Sequence, residues 1–150
     1  MKRRVAVRGI FILDGKLLCA QLKHYKESIS GDFWSVLGGG IEDGEALIPA
    51  LEREIVEETG IRPVVGSLLY VQQYASADTE NLEFFFNILN PRDYLDVDLA
   101  KTTHGSKEID KIEFIDPATH IVLPEFLKHE TYTSLGSAPT KVFNYLSAVR

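Results

Sequence analysis

Three glutamates one helical turn apart are the side chains of this sequence with the clearest chemical potential. Glu54, Glu57 and Glu58 lie at positions i, i+3 and i+4, so a helix projects all three from one face. Such like charges destabilise an isolated helix by about 0.2–0.5 kcal/mol per pair. A hard divalent cation offsets this repulsion, because Mg²⁺ prefers carboxylate oxygens and completes its coordination with waters and substrate phosphates. The spacing therefore predicts a metal-assisted reaction on a phosphate compound, although a Glu-rich helix is more often only a solvated face.

A helix that carries these carboxylates is predicted from Glu45 to Gly60. Pro49 falls in its first turn, where a missing N–H costs little. Gly60 is a typical stop signal for a helix. Arg53, beside Glu54, can orient one of the carboxylates by a bidentate contact.

An apolar stripe on the same helix predicts how it packs. Ile48, Leu51 and Ile55 recur at spacings of three and four residues, which gives one face directed at the core. The glycine run at positions 38–40 precedes the helix, and its lack of Cβ atoms lets a ligand or metal approach the main chain closely. We therefore expect the carboxylates to stand beside an accessible loop.

Predicted strands surround this helix in the sequence. Val5–Ile12 and Leu17–Leu22 are joined by the hairpin signal Asp14-Gly15, and Val64–Tyr74 and Asn81–Leu89 form a second pair. A polar loop is predicted at Lys23–Asp32 and a last strand at Lys111–Ile115. Helical segments are predicted at Pro117–Leu123 and Lys141–Val149. Strands around a few helices imply an α/β fold with a mixed sheet packed between helices.

The composition limits the class of protein. A chain of 150 residues has the size of one domain, so we expect a single domain over residues 1–150. The net charge of −6 argues against binding to nucleic acid, and no apolar run approaches the roughly 20 residues of a membrane-spanning helix. Cys19 is the single cysteine, which excludes an internal disulfide and favours a reducing, cytoplasmic compartment. The sequence leaves a homodimer open.

The spacing around the glutamates resembles the signature of the Nudix hydrolases. Gly39, five residues, Glu45, seven residues and then the run REIVEETGI from Arg53 to Ile61 match every fixed position without an insertion. Gly38 replaces the proline that often precedes the signature glycines. The resemblance implies a Nudix-type α/β/α sandwich, bound Mg²⁺ or Mn²⁺, and hydrolysis of a nucleoside diphosphate linked to another moiety, by water attack on phosphorus.

The resemblance also implies roles for individual residues. The metal ligands that it implies are Glu54, Glu57, Glu58 and a main-chain carbonyl near Gly39. Arg53 and Glu45 become a pair that supports this geometry. The general base, typically worth about 10²–10⁴-fold in rate, is either Glu54 or Glu108. Glu108 lies six residues before Phe114, similar to a base on the loop ahead of an aromatic strand, and a solvated loop residue is the alternative.

Candidate substrate-binding groups come from the strands and loops that flank the signature. They are Arg8, Gln21, Lys23, Phe33, Trp34 and Tyr74. Phe33 and Trp34 are more often core residues than stacking platforms, while Tyr74 suits either role. The chain lacks the proline that often follows the signature in ADP-ribose hydrolases of this family. We therefore expect a nucleoside triphosphate or a nucleotide sugar as substrate, with dinucleoside polyphosphates also open.

Two other functions fit the same resemblance less well. A catalytically silent Nudix domain would bind a nucleotide as a sensor, but all three helix carboxylates are intact. The isopentenyl isomerase branch of the fold would use a catalytic cysteine, but Cys19 lies in an apolar strand. We therefore expect a cytoplasmic Nudix nucleotide pyrophosphohydrolase that acts on acid anhydrides.

Overall fold

Two mixed β-sheets form the framework of the computed structural model, which describes residues 1–23, 32–130, 132 and 137–145. The first sheet contains, in spatial order, β10 (Lys141–Asn144), β6 (Val65–Ser76), β7 (Thr79–Ile88), β1 (Lys2–Ile10) and β5 (Gly38–Gly40). Pairing is parallel between β10 and β6 and between β7 and β1, and antiparallel elsewhere. The sheet therefore joins the signature glycines to β1.

The second sheet contains the predicted hairpin. Its order is β2 (Ile12–Leu13), β3 (Lys16–Leu22), β4 (Phe33–Val36) and β9 (Ile121–Leu123), and β8 (Ile109–Ile115) pairs with β3. Asp14 and Gly15 have φ of 52° and 76°, which are the positive values of the tight turn that their sequence predicts. Most of the polar segment predicted as a loop, residues 24–31, lies outside the described residues.

The signature helix α1 (Leu47–Thr59) packs on the first sheet. Leu51 and Ile55 are fully buried with Val7 and Phe86 from the sheet, as the apolar stripe predicts. Ile48 is 43% exposed, so its predicted place in the stripe is wrong. The buried face is centred on positions 51, 55 and 58–59, which leaves the first turn of the helix at the margin of the core.

Two predicted helical segments are wrong. Pro117–Leu123 forms a turn followed by strand β9, which pairs in parallel with β4. Lys141–Asn144 is strand β10, added to the edge of the first sheet beside β6, and residues 146–150 lie outside the described residues. Both segments gain main-chain partners from strands that are distant in the sequence.

Short helices lie between the strands that follow β7. The 3-10 turns Pro91–Tyr94, Leu99–Lys101 and Glu125–His129 and the single helical turn α2 (Gly105–Glu108) connect the strands. Mixed sheets with a few helices agree with the predicted α/β class. Among the described residues, no helix is long and apolar enough to cross a bilayer.

Candidate active site

The last turn of α1 carries a buried carboxylate. Glu58 is 7% exposed, and its Oε1 accepts a hydrogen bond of 3.0 Å from the main-chain N–H of Gly38. Burial, and then the negative charge of Glu54, raise the pKa of Glu58 to about 8. Such a group gains from a cation placed beside it, because the cation compensates for the lost hydration.

Strand β5 approaches the helix at positions where a side chain would not fit. A Cβ on Gly39 would lie 2.5 Å from Cδ of Glu54. Gly38 has φ of 141°, and a Cβ there would lie 2.0 Å from the carbonyl oxygen of Val7. The glycines therefore allow the main chain of β5 to lie directly against the Glu54 carboxylate.

We expect Gly39→Ala to displace the Glu54 carboxylate while leaving the fold intact, because the obstructing atoms are at the end of a flexible side chain. The concentration of Mg²⁺ that gives half-maximal activity should rise about tenfold, as for other changes that misorient metal ligands. Gly40→Ala is the matched control, since the nearest atom to its Cβ is 3.6 Å away. Equal Mg²⁺ dependence in the two variants would contradict the role given to this contact.

Arg53 connects three acidic residues of the signature. Its Nε and Nη2 donate to the two carboxylate oxygens of Glu45 at 2.8 and 2.9 Å, which is a bidentate pair. Its Nη1 donates to Glu54 at 3.1 Å and to Glu57 at 3.3 Å. Its Nη2 also donates to the carbonyl oxygen of Gly40 at 3.2 Å. One guanidinium therefore fixes the loop before α1 and two carboxylates of the helix.

The charges in this network shift the pKa values of its members. The hydrogen bonds from Arg53 lower the pKa of Glu45 to about 2, and the main-chain N–H of Glu42 contributes to this. The pKa of Arg53 is raised, first by its hydrogen bond with Glu45. Burial raises the pKa of Glu54 against the opposing effect of Arg53. The Arg53–Glu45 pair is therefore firmly ionic, while Glu54 is poorly compensated by the protein alone.

The segment before β8 docks on the end of α1. The main-chain N–H of His104 donates to the Glu57 carbonyl at 2.9 Å, and a Cβ on Gly105 would lie 2.2 Å from the Glu58 carbonyl. Glu108 is the last residue of the helical turn α2, and its side chain is exposed. The charge of Glu108 contributes to the raised pKa of Glu58. Glu108 therefore lies within electrostatic range of the helix carboxylates.

A cavity of about 600 Å³ has Arg8 of β1 in its wall. It is lined by Arg8, Leu22, Phe33, Ser35, Val36, Gln72, Tyr74, Glu83, Leu123, Pro124, Glu125, Phe126 and Tyr145. Arg8 belongs to the cavity wall and pairs across the β1–β5 ladder with Gly38, whose main-chain N–H donates to Glu58. A volume of this size is typical of pockets for small ligands. One strand residue thus links the acidic cluster to a pocket.

A family model for the NUDIX domain matches residues 2–133. The chain belongs to the Nudix family. Its curated Nudix relatives include the ADP-ribose pyrophosphatase of Methanocaldococcus jannaschii, 43% identical over 76 residues that cover 51% of this chain and 42% of that protein. The CTP pyrophosphohydrolase of Escherichia coli is 37% identical over 73 residues, 49% of this chain and 53% of that protein. The nucleoside triphosphatase NudI of an Enterobacter species is 30% identical over 98 residues, 60% and 69% of the two chains.

Solved Nudix structures share the fold. The E. coli ORF135 protein superposes with a TM-score of 0.65 at 23% identity, over 85% of each chain. The MutT protein of Methanosarcina mazei gives a TM-score of 0.64 at 18% identity, over 85% of this chain and 89% of that one. The predicted α/β fold is therefore confirmed. The aligned segment spans less than half of the length of the M. jannaschii relative.

The Nudix signature residues fit a hard divalent cation. Glu54 and Glu58 offer carboxylate oxygens whose charge the protein compensates poorly. Gly39 lets the Glu54 carboxylate lie against the main chain of β5, where a carbonyl oxygen can add a further ligand. Within the described part of the chain, no three acidic, histidine or cysteine side chains already stand in ligating geometry. Arg53 Nη1 donates to Oε1 of Glu54 and to Oε2 of Glu57, which leaves the second oxygen of each carboxylate for an ion.

The predicted substrate-binding residues of the Nudix domain separate into two groups. Arg8, Tyr74 and Phe33 line the cavity. Trp34 is 7% exposed in the core, with its ring edge-on to that of His120 at 6.1 Å, which favours the core alternative stated for it. The remaining two, Gln21 and Lys23, are also absent from the cavity wall.

Lys23 instead contacts the segment that carries Glu108. Its Nζ donates to the Ser106 carbonyl oxygen at 2.6 Å. Gln21 is half-buried on β3, where its main chain pairs with Lys111. These contacts connect β3 to α2 and β8, so both residues support the segment before β8 within the described structure.

Sequence reasoning missed several polar groups of the cavity. Gln72, Glu83 and Glu125 lie in its wall, and the Arg4 guanidinium lies beside Gly40 at the edge of the acidic site. Gln72 and Glu83 are 7% and 4% exposed. Polar residues at alternate positions of a strand are the available signal, and a solvated sheet face gives the same pattern.

Proposed function

We propose that residues 1–150 form a single Nudix domain that hydrolyses a diphosphate linkage in a nucleotide-like substrate. The substrate class is a nucleoside triphosphate or a nucleotide sugar, and the reaction is attack of water on phosphorus. The names of the relatives support this class, because ADP-ribose pyrophosphatase, CTP pyrophosphohydrolase and nucleoside triphosphatase all denote cleavage of phosphoanhydrides. ADP-ribose, which the sequence disfavours, belongs in any test for that reason.

The observation that carries the proposal is the position of Arg8. Arg8 lines a cavity of about 600 Å³ and lies opposite Gly38 in the β1–β5 pairing, and the main-chain N–H of Gly38 donates to Glu58. A nucleoside in the cavity therefore extends its phosphates past Arg8 toward the carboxylates. An arginine at this junction suits phosphate oxygens, because its planar fork donates two parallel hydrogen bonds.

Glu54, Glu57 and Glu58, with a main-chain carbonyl near Gly39, are the proposed ligands for Mg²⁺ or Mn²⁺. When bound, such an ion neutralises phosphate charge, orients the attacking water and stabilises the leaving phosphate. Arg53, itself bound to Glu45, positions Glu54 and the main chain of β5 through its hydrogen bonds. Glu108 or Glu54 accepts the proton of the attacking water.

A substrate panel tests the proposal. Nucleoside triphosphates, nucleotide sugars, ADP-ribose and dinucleoside polyphosphates are each incubated with the protein and Mg²⁺ or Mn²⁺, and the phosphorus products are identified by ³¹P NMR. We expect a nucleoside monophosphate as one product, with no turnover in excess EDTA. Tight nucleotide binding without turnover under either ion would overturn the hydrolase and favour the sensor function.

A further inference from the structure

Gln72 has a side chain whose hydrogen-bonding groups face the cavity without a protein partner. It is 7% exposed and belongs to the cavity wall. Among the described residues, its carboxamide makes no hydrogen bond, whereas the neighbouring Gln73 donates to Glu80 at 3.0 Å. No fully buried side-chain polar atom of the described residues lacks a hydrogen-bond partner, so the carboxamide of Gln72 is open to the cavity. It can therefore bond to a ligand held there.

Glu83 lies directly beside Gln72 on the same face of the sheet. The two residues are cross-strand partners in the β6–β7 pairing, and Glu83 is 4% exposed. Arg8 Nη2 lies 3.5 Å from Glu83 Oε1, and Tyr74 belongs to the same wall. The cavity wall therefore presents an amide next to a carboxylate that is paired with Arg8.

Gln72 and Glu83 differ in the hydrogen bonds that they can make with the edge of a nucleobase. The amide of Gln72 donates one hydrogen bond and accepts another, while an ionised carboxylate only accepts. Cytosine, adenine and guanine each offer an exocyclic amino group to an acceptor. Uracil and thymine offer only the ring N3–H as a donor, between two carbonyl oxygens. When N3–H pairs with the amide oxygen of Gln72, a carbonyl oxygen therefore lies against the carboxylate, and two acceptors face one another.

We infer that Gln72 and Glu83 select substrates whose base carries an exocyclic amino group over those with uracil or thymine. The inference rests on the proposed function for the identity of the ligand as a nucleotide. Phe33, Tyr74 and Phe126 give the cavity aromatic walls, which suit the flat faces of such a base.

The pair CTP and UTP tests the selection, because the two bases have nearly the same size and differ at this edge. We expect kcat/KM for CTP to exceed that for UTP by about tenfold or more, the usual worth of one well-placed bidentate contact. Gln72→Leu should lower kcat/KM for CTP about tenfold and reduce the CTP/UTP ratio to a few-fold at most. Glu83→Gln should reduce the same ratio by improving UTP, since its amide can donate to a carbonyl oxygen.

Gln73→Leu is the matched control. Gln73 is the next residue of β6 and faces away from the cavity, so this variant should keep the wild-type CTP/UTP ratio. Equal kcat/KM for CTP and UTP in the wild type, or a ratio that Gln72→Leu leaves unchanged, would overturn the inference. Thermal denaturation of each variant identifies a general loss of structure.

Binding of CMP and UMP, measured by calorimetry with the metal-free protein, separates this inference from the proposed function. Tighter binding of CMP than UMP that Gln72→Leu abolishes supports the selection even where the substrate panel gives no hydrolysis. Equal affinities for CMP and UMP, or no binding of either, count against the selection even where a nucleotide is hydrolysed.

Discussion

Replacing Glu57 by glutamine is expected to lower kcat/KM for the best nucleotide substrate by about 10³-fold. A bound cation contributes several kcal/mol of charge stabilisation in the transition state, and about 1.4 kcal/mol corresponds to a factor of ten. A neutral amide is a poor ligand for a hard cation that prefers carboxylate oxygens. Glutamine can still accept a hydrogen bond from Arg53 Nη1, which lies 3.3 Å from Glu57, so the fold should survive.

The measurement is steady-state kinetics over a titration of Mg²⁺, with thermal denaturation as the check on folding. Glu52→Gln is the matched control, because it makes the same charge change on the same helix. Glu52 pairs with the exposed Arg62 at 2.7 Å, and within the described residues it shares no hydrogen bond or ion pair with Glu54, Glu57 or Glu58. Its variant should keep wild-type kinetics. Full activity in Glu57→Gln, or equal losses of activity in both variants, would show that Glu57 is not a metal ligand.

The parts of this site that the sequence predicted are those fixed by local spacing. The position of Glu54, Glu57 and Glu58 on one face follows from helical periodicity, and the helix ends at Gly60, which has the left-handed φ of 77° expected of a glycine cap. The pairing of Arg53 with Glu45 spans only eight residues and a single loop. Few conformations satisfy these short-range requirements at once, so pattern and structure agree.

Predictions failed where a partner distant in the sequence decides the structure. Lys141–Asn144 forms a strand because β6 offers a free edge, and Phe143 then stacks on Phe126 with ring centroids 4.2 Å apart. Neither the edge nor the aromatic partner is visible within a local window. A short apolar segment has almost the same pattern as helix and as strand, and long-range pairing determines which one forms.

The cavity is the least predictable part of the candidate site for the same reason. Gln72, Glu83 and Arg8 come from three different strands, and only the register of β6, β7 and β1 brings them to one face. In sequence, each is a polar residue in an alternating strand, which usually means a solvated face. Their burial depends on the segments that cover the sheet, including Pro124, Glu125 and Phe126.

Replacing Glu108 by glutamine is expected to lower kcat about 10²-fold or more with little change in metal affinity, if Glu108 is the general base. Glu108 is exposed at the end of α2, and its negative charge contributes to the raised pKa of the buried Glu58. The main-chain hydrogen bond from His104 to Glu57 holds this segment against α1. An exposed carboxylate on this segment can accept a proton from water, because it is not committed to a metal ion.

Glu113→Gln is the control for Glu108, since Glu113 is an exposed glutamate on the adjoining strand β8 and lies outside the cavity wall. Its variant should have wild-type kcat. An unchanged kcat in Glu108→Gln would assign the proton transfer to Glu54, and an effect on Mg²⁺ affinity alone would make Glu108 a metal ligand. Glu54→Gln distinguishes these cases further, because loss of a ligand weakens Mg²⁺ binding and loss of the base alone does not. The split between kcat and metal affinity therefore assigns each carboxylate to one role.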